Sequence, residues 1–357
     1  MADDLKISET KLLYDPIFSK KPDVEMKGKN HLVFKTVFVI IIVIFVGISL
    51  YFSFTSLSAD KYIYKETDAG WQLYQFNGKD TDATLHIDYI RNEEGVPDKT
   101  KPVAAAREFA MSCNEYVQFI FIGKDVSSLE NHCFYYTKNL KAVIVDPQNE
   151  HYTSVDGILF NKDMTEIILC PMRNNQYKVA LAGGIAAPVD EASAEAFIEE
   201  FNKKYGEETV DNGEEYKKQF ASCSTYKIPE TVTSIADSCF SDCESYSSIE
   251  IPASVKKIGS LAFFKCKGLE KINIPDGVES IGSDGFSYCE KVEYIFVPAS
   301  VKSIGHHAFY GDLGCKEICM GAADKDAVET GEHWLPKQST RSLKDVEAVY
   351  GQVRRAG

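Results

Sequence analysis

The chain has 357 residues, 44% of them hydrophobic and 12% aromatic, enough apolar material for a sizeable core and a length that suits about two domains. Its net charge of -14 argues against nucleic acid as a partner, because a phosphate backbone requires a basic face.

Residues 1–35 are polar, with seven lysines against six acidic residues. From Thr36 to Phe54 nineteen residues carry no charge, long enough for a helix that crosses a bilayer. We read 36–54 as a transmembrane signal anchor. The alternative is a cleaved signal peptide with Ser56-Leu57-Ser58 as a poor cleavage site, but both the polar lead and the apolar run are longer than such a peptide needs. Lys20, Lys21, Lys27, Lys29 and Lys35 precede the run, and only Lys61 and Lys65 follow it closely. The positive-inside rule therefore predicts a single-pass protein of the cell membrane, with 1–35 cytoplasmic and everything after Phe54 extracellular.

Residues 60–99 alternate in hydrophobicity around Asn77-Gly78 and read as a β-hairpin. Over 100–145 a 23-residue apolar pattern appears in degenerate form: Val103, Ala110-Met111, Ile120 and Ile122, then Val126, Phe134, Val143 and Val145. The solenoid is thus expected to begin near residue 100. Residues 146–187 hold two short strand patterns around Asn161-Lys162-Asp163, a hairpin island at a coil boundary. The stretch 188–223 abandons the repeat. In it Asp190 suits an N-cap, Phe197, Phe201 and Tyr205 recur every four residues and Gly206 suits a stop, so an amphipathic helix is predicted, with a second short helix around Glu214 to Phe220. This insertion either packs its aromatic stripe on the solenoid or serves as a partner-docking arm.

From 228 to 320 one unit is written four times. Pro229, Pro252, Pro275 and Pro298 are 23 residues apart, and so are Val232, Val255, Val278 and Val301, Ile235, Ile258, Ile281 and Ile304, and Phe240, Phe263, Phe286 and Phe309. Such a period means coils stacked on copies of themselves, none able to bury its apolar face alone. The pairs Ile249 and Ile251, Ile272 and Ile274, and Ile295 and Val297 have period two, which predicts one short buried-face strand per coil in a parallel ladder. Gly259, Gly282 and Gly305 suit a turn, and Cys239, Ala262, Gly285 and Ala308 suit points where coils touch. Cys243, Cys266 and Cys289 share one repeat position, as small buried hydrophobes do. Reduced thiols are the better reading of that pattern, although stacked coils could bring equivalent cysteines within bridging range.

If the isoleucines point inward, the residues between and before them point out. Across the copies these are Ser248 and Glu250, Lys271 and Asn273, Tyr294 and Phe296, then Glu317 and Cys319. Two aromatics on an open sheet face are favoured interface anchors. Tyr294 and Phe296 are thus either ligand-facing or covered by the tail, with Lys271, Asn273 and Glu250 completing a candidate ligand-binding set. In that tail, 321–357, Trp334 and Leu335 are expected to plug the last coil and Ser342 to Val353 to form a helix. Leu335-Pro336 is followed by Lys337-Gln338, so no wall-sorting signal is visible and the membrane helix must do the anchoring.

The units IPETVTSIADSCFSDC, IPASVKKIGSLAFFKC and IPDGVESIGSDGFSYC resemble the repeats of BspA-like leucine-rich repeat proteins, a family of microbial surface solenoids. That resemblance implies an α/β-type leucine-rich repeat solenoid of mostly short parallel β-strands in 23-residue coils, here preceded by a single transmembrane helix. It makes 60–99 similar to the family's N-terminal cap and 146–187 similar to its islands. It also implies binding or adhesion rather than catalysis, without naming a ligand. Nucleophile-elbow, P-loop, dinucleotide and zinc-protease motifs are absent from the sequence. No catalytic residue, metal site or cofactor is therefore assigned, and His306-His307 reads as a solvated turn. The expected partners are an extracellular protein or polysaccharide and the membrane through 36–54, with no nucleic acid. The alternative is a single-pass envelope scaffold or signalling subunit with a short cytoplasmic tail.

Overall fold

A strand of two to four residues is most of what each coil contributes, so the fold is held by what passes between coils. A computed structural model describes residues 60–336, apart from 80–82, 93, 183, 206–224, 244–245 and 312–313, together with 348–352. The expected cytoplasmic segment 1–35 and anchor 36–54 lie outside the described residues, as does the short helix expected around 214–220. Among the described residues, no helix is long and apolar enough to cross a membrane.

The chain enters through an antiparallel hairpin, β1 (Tyr62–Thr67) and β2 (Gly70–Phe76). Its turn lies at Asp68-Ala69, closed by Gly70 at φ +116°, rather than at the expected Asn77-Gly78. Asn77 sits instead at the open end, where its side chain donates to the Asp60 carbonyl at 3.0 Å. The parallel ladder then begins earlier than residue 100, at β3 (Thr84–Ile87). A second hairpin, β4 (Tyr89–Arg91) and β5 (Pro97–Ala106), is inserted in the first coil and hides this rung from a 23-residue search. Strands β6 (Phe119–Ile122), β7 (Ser128–Leu129) and β8 (Ala142–Val145) complete the first two full coils.

The stretch expected to be an island is three strands and a helix. Strands β9 (Tyr152–Val155), β10 (Ile158–Asn161) and β11 (Glu166–Leu169) run antiparallel to one another, with Asp156-Gly157 turning the first pair. β11 then pairs parallel with the regular repeats, so these strands belong to the solenoid's own sheet. Helix α1 (Asn174–Ala182) follows within the same stretch, and α2 (Glu191–Tyr205) occupies the predicted insertion. Asp190 caps α2, its carboxylate accepting from the Ser193 amide at 2.8 Å.

The regular half carries two strands per coil where one was expected. The first ladder holds the Ile-x-Ile positions in two sheets, β12 (Thr225–Lys227) with β14 (Ser248–Glu250), and then β16 (Ile272–Asn273), β18 (Tyr294–Val297) and β20 (Glu317–Met320). The second runs through the lone isoleucine of each repeat in β13 (Ser234–Ile235), β15 (Lys257–Ile258), β17 (Ser280–Ile281) and β19 (Ser303–Ile304) to β21 (Glu329–Thr330). Two residues per strand are too few for alternation to betray them. Of the helix expected from Ser342 to Val353 only 348–352 are described, and there Ala348–Val349 forms β22, which pairs parallel beside β20.

Between the ladders the coils stack like on like. Phe240, Phe263, Phe286 and Phe309 are buried with successive ring centroids 5.1, 4.8 and 5.7 Å apart and nearly parallel. Trp334, 8% exposed, meets the last ring edge-on at 6.3 Å, and Leu335 packs beside it to close that end. The shared-position thiols reach back one coil, Cys266 to the Phe240 carbonyl at 3.0 Å and Cys289 to the Phe263 carbonyl at 3.3 Å. Gly282 and Gly305 have no left-handed backbone. A β-carbon there would lie 2.4 Å from the Ser260 nitrogen and 2.3 Å from the Ser283 nitrogen, so close coil contact, and not a turn, demands glycine.

Each corner around the phenylalanine contains two left-handed residues four apart: Phe109 and Cys113, His132 and Tyr136, Ser238 and Asp242, Leu261 and Lys265, Asp284 and Tyr288. Such φ values are uncommon outside glycine. They turn alternate amides toward the neighbouring coil, where Ser238, Phe240 and Asp242 donate to the carbonyls of Ser260, Ala262 and Phe264 at 2.8, 2.7 and 2.7 Å. The same three rungs recur from Leu261, Phe263 and Lys265 and from Asp284, Phe286 and Tyr288.

Candidate binding face

The first ladder has one face in the core and one face away from it, and the outer face differs between the two halves. In β6 and β8 all eight residues are buried. Their outward positions are Phe119, Phe121, Ala142 and Ile144, and α1 and α2 lie across them. Phe197 packs edge-on against Phe119 at 5.7 Å and tilted against Tyr177 of α1 at 5.2 Å, while Phe201 lies tilted behind it at 6.0 Å. The aromatic stripe of the insertion is therefore spent on the solenoid itself. Asn174, fully buried at the start of α1, donates to the Asp156 carbonyl at 2.8 Å and accepts from the Tyr246 hydroxyl at 2.8 Å, tying the helix to both halves.

In the regular half nothing described crosses the corresponding positions. Glu250, Lys271, Asn273 and Tyr294 are exposed, and Phe296 is half-buried. Their neighbours Ile249, Ile272, Ile295 and Val297 are buried beneath, as the alternation requires. The register sets Tyr294 beside Glu317, Asn273 beside Phe296 and Phe296 beside Cys319. Asn273, Tyr294 and Phe296 thus share one surface, while Glu250 lies on β14 beside Lys227 and Lys271 immediately precedes β16. Tyr294 is 57% exposed, which is unusual for so large a ring, and the described part of the tail does not cover it. β22 instead lengthens the sheet at its edge. Phe296 lies back over Gly321, where an added β-carbon would be 3.3 Å from the ring.

Around the two rings the charge is mixed and paired between adjacent coils. Lys316 bonds Glu293 at 2.8 Å and stands 5.8 Å from the Tyr294 ring centroid, and that carboxylate raises the lysine's pKa. Lys227 meets Glu250 at 3.7 Å, with both side chains more than half exposed. Exposed pairs of this kind contribute about 0–1 kcal/mol and can be exchanged for contacts with a ligand at little cost. A polar rim around an aromatic centre is the composition of a protein-recognition surface. Among the described residues no cluster of histidine, cysteine or carboxylate suits a metal. His307 stacks on His333 at 5.7 Å, and the His306 ring accepts from the Glu332 amide at 3.1 Å.

The outer-face positions are legible in the sequence, because period two fixes which residues point out once the core residues are known. The cover over the other half corresponds to one of the two readings of the insertion, the packing of its aromatic stripe on the solenoid. Its signal is present in the run Phe119 to Ile122, four apolar residues without alternation, which marks a strand buried on both faces.

The family model described as BspA type Leucine rich repeat region matches six copies, over residues 100–175 and 214–323, more than half of the chain. Curated proteins yield no match. Among solved structures, the pneumococcal vaccine antigen PcpA is 21% identical, with 68% of this chain and 51% of that one covered at a TM-score of 0.47. A leucine rich cell surface protein from Faecalibacterium prausnitzii A2-165 is 19% identical, covering 69% and 53% at 0.45. A leucine-rich repeat protein from Eubacterium ventriosum is 16% identical, covering 78% and 83% at 0.44. The matched part spans about half the length of the first two structures.

Proposed function

The chain belongs to the BspA-type leucine-rich repeat family, and from that premise we propose that it is a membrane-anchored extracellular recognition module that binds a protein or polysaccharide on the outer face of its regular repeats. The observation that carries this reading is Tyr294, 57% exposed beside half-buried Phe296 on a sheet face that no described residue covers. Large exposed aromatics are the anchors of interfaces, and a polar rim such as Lys271, Asn273 and Glu250 supplies orientation. The surface is a flat face and not an enclosed pocket, which suits binding better than catalysis. The apolar run 36–54, with its lysines on the near side, supports a single-pass anchor that leaves the repeats outside the cell.

The test is capture of surface ligands by the full chain, wild type beside Tyr294→Ser combined with Phe296→Ser. Loss of the two anchors should weaken binding at least about tenfold, as hot-spot truncations of this kind do, with thermal melting unchanged. Identical capture by the two proteins would exclude this face.

A further inference from the structure

A corner such as that at Leu261 and Lys265 lies between two others, and its Leu261 side chain is half-buried. The first corner of the chain, at Phe109 and Cys113, has a neighbour of its own kind on one side only. There its Met111 and Cys113 amides donate to the Cys133 and Tyr135 carbonyls of the next coil, each at 3.0 Å. On the other side stands the end of the β1–β2 hairpin, which meets the corner through the Arg107 amide on the Leu73 carbonyl at 2.9 Å and the Phe76 amide on the Ala110 carbonyl at 2.8 Å. A hairpin end is not shaped like a coil. Between the two remains a depression of about 210 Å³, lined by Tyr74, Gln75, Asn77, Arg107, Phe109 and Ser112 among others.

Phe109 occupies the corner position of Leu261 and is 50% exposed, although the His132 ring stacks on one of its faces at 5.6 Å. The exposed part of the ring is therefore the face turned away from the next coil and toward the hairpin end. Across the depression the Arg107 guanidinium lies 4.0 Å over the Tyr74 ring, and the Gln75 amide donates to the Asn77 side chain at 2.8 Å. The charged groups of the lining are one cation, Arg107, and one anion, Glu108. The lining thus combines an open aromatic face, amides that donate and accept, and balanced charge.

We propose that this depression is a second binding site, which seats one sugar unit of a neutral polysaccharide with its ring flat on Phe109. The C–H groups on the flat side of a pyranose carry slight positive charge and lie favourably on the negative face of an aromatic ring. Its hydroxyls both donate and accept, so they can use the Arg107 guanidinium, the Glu108 carboxylate and the two amides alike. A charged sugar would be drawn to one of Arg107 and Glu108 and repelled by the other, and the pair therefore favours an uncharged unit. An extended peptide would need an unpaired strand edge, but β2, the strand that lines the depression, is paired on both sides. The site lies at the first corner and not on the outer face of the regular repeats, so it does not depend on the reading of Tyr294.

The test passes the full chain over surfaces coated singly with dextran, starch, galactomannan or xyloglucan, with polygalacturonate and gelatin as the charged and the polypeptide controls. Saturable binding to at least one neutral polysaccharide is expected, unchanged when salt is raised from about 0.1 M to about 1 M. Phe109→Asn keeps a residue that tolerates left-handed backbone and should weaken binding at least about tenfold with melting unchanged. Arg107→Gln should weaken it several-fold, whereas Tyr294→Ser with Phe296→Ser should leave it intact. Absence of binding to all four neutral polysaccharides, equal binding by Phe109→Asn, loss of binding at high salt, or binding to polygalacturonate or gelatin alone would each overturn the proposal. Loss of binding in the Tyr294 and Phe296 variant would overturn it as well, by placing the saccharide on the outer face.

Discussion

At one and the same repeat position, the first ladder presents Phe119, Phe121, Ala142 and Ile144 in its N-terminal half and Glu250, Lys271, Asn273, Tyr294 and Phe296 in its regular half. The first set is buried beneath α1 and α2, and the second is left in water apart from the partial shelter of Phe296. The backbone geometry is shared, so the side chains alone decide which half acquires a cover. Four apolar outward residues cannot be left on a surface, and the chain supplies Tyr177, Phe197 and Phe201 to meet them. Where the outward residues are polar no described residue covers them, and Tyr294 is left exposed at a position equivalent to those where Phe119 and Phe121 are buried.

The largest expected effect comes from stripping the cover. Phe197 is 2% exposed and touches Phe119, Tyr177 and Phe201. Phe197→Ala should cost about 3–5 kcal/mol, the usual range for truncating a buried phenylalanine. The loss should be read as faster hydrogen exchange in α2 together with new binding of an apolar dye over β6 and β8. Tyr294→Ala should change stability by no more than about 0.5 kcal/mol, as surface substitutions do. Equal losses from the two substitutions would mean that the halves differ less than their exposure says.

A smaller effect separates the halves by pH. Burial, and after it the carboxylate of Asp156, pushes the Tyr177 hydroxyl up to about 12 from its usual value near 10. The folded state therefore favours the protonated phenol. This contribution is fully present below about pH 10 and is lost as pH rises toward about 12. The cover should loosen across that window, followed by hydrogen exchange of α1 and α2. Tyr177→Phe should blunt the alkaline loss while leaving stability at pH 7 nearly unchanged. An unaltered alkaline profile in that variant would remove Tyr177 as the cause.

How far the sequence reveals this division depends on how many residues each feature occupies. The 23-residue spacing of proline, valine, isoleucine and phenylalanine spans four copies, and it carries the solenoid, its core and the direction of Tyr294. The second ladder is invisible there because each of its rungs is two residues long. The early rung at Thr84–Ile87 is hidden by the hairpin that lengthens its coil. The strand at Ala348–Val349 is a tertiary override, since pairing with β20 outweighs a helical pattern in the tail. The corner rungs follow from which carbonyl lies opposite which amide once paired non-glycine residues such as Ser238 and Asp242 adopt positive φ, and side-chain identity hardly records that. Asn273, Tyr294 and Phe296 can be placed on one face from the sequence, but whether that face is open depends on helices far from it along the chain.

The smallest expected effect concerns the charges of the open face. Lys227 and Glu250 approach to 3.7 Å across adjacent strands, with side chains 70% and 56% exposed. A double-mutant cycle of Lys227→Ala and Glu250→Ala should give a coupling of about 0.5 kcal/mol or less, fading as salt is raised toward about 1 M. Such a value has a functional meaning, because a pair that contributes little when closed can open toward a ligand at little cost. A coupling above about 1.5 kcal/mol that survived salt would instead describe a fixed structural tie. The regular half would then be bound up in its own packing just like the covered half, and Tyr294 would be left without the adaptable polar rim on which a recognition surface depends.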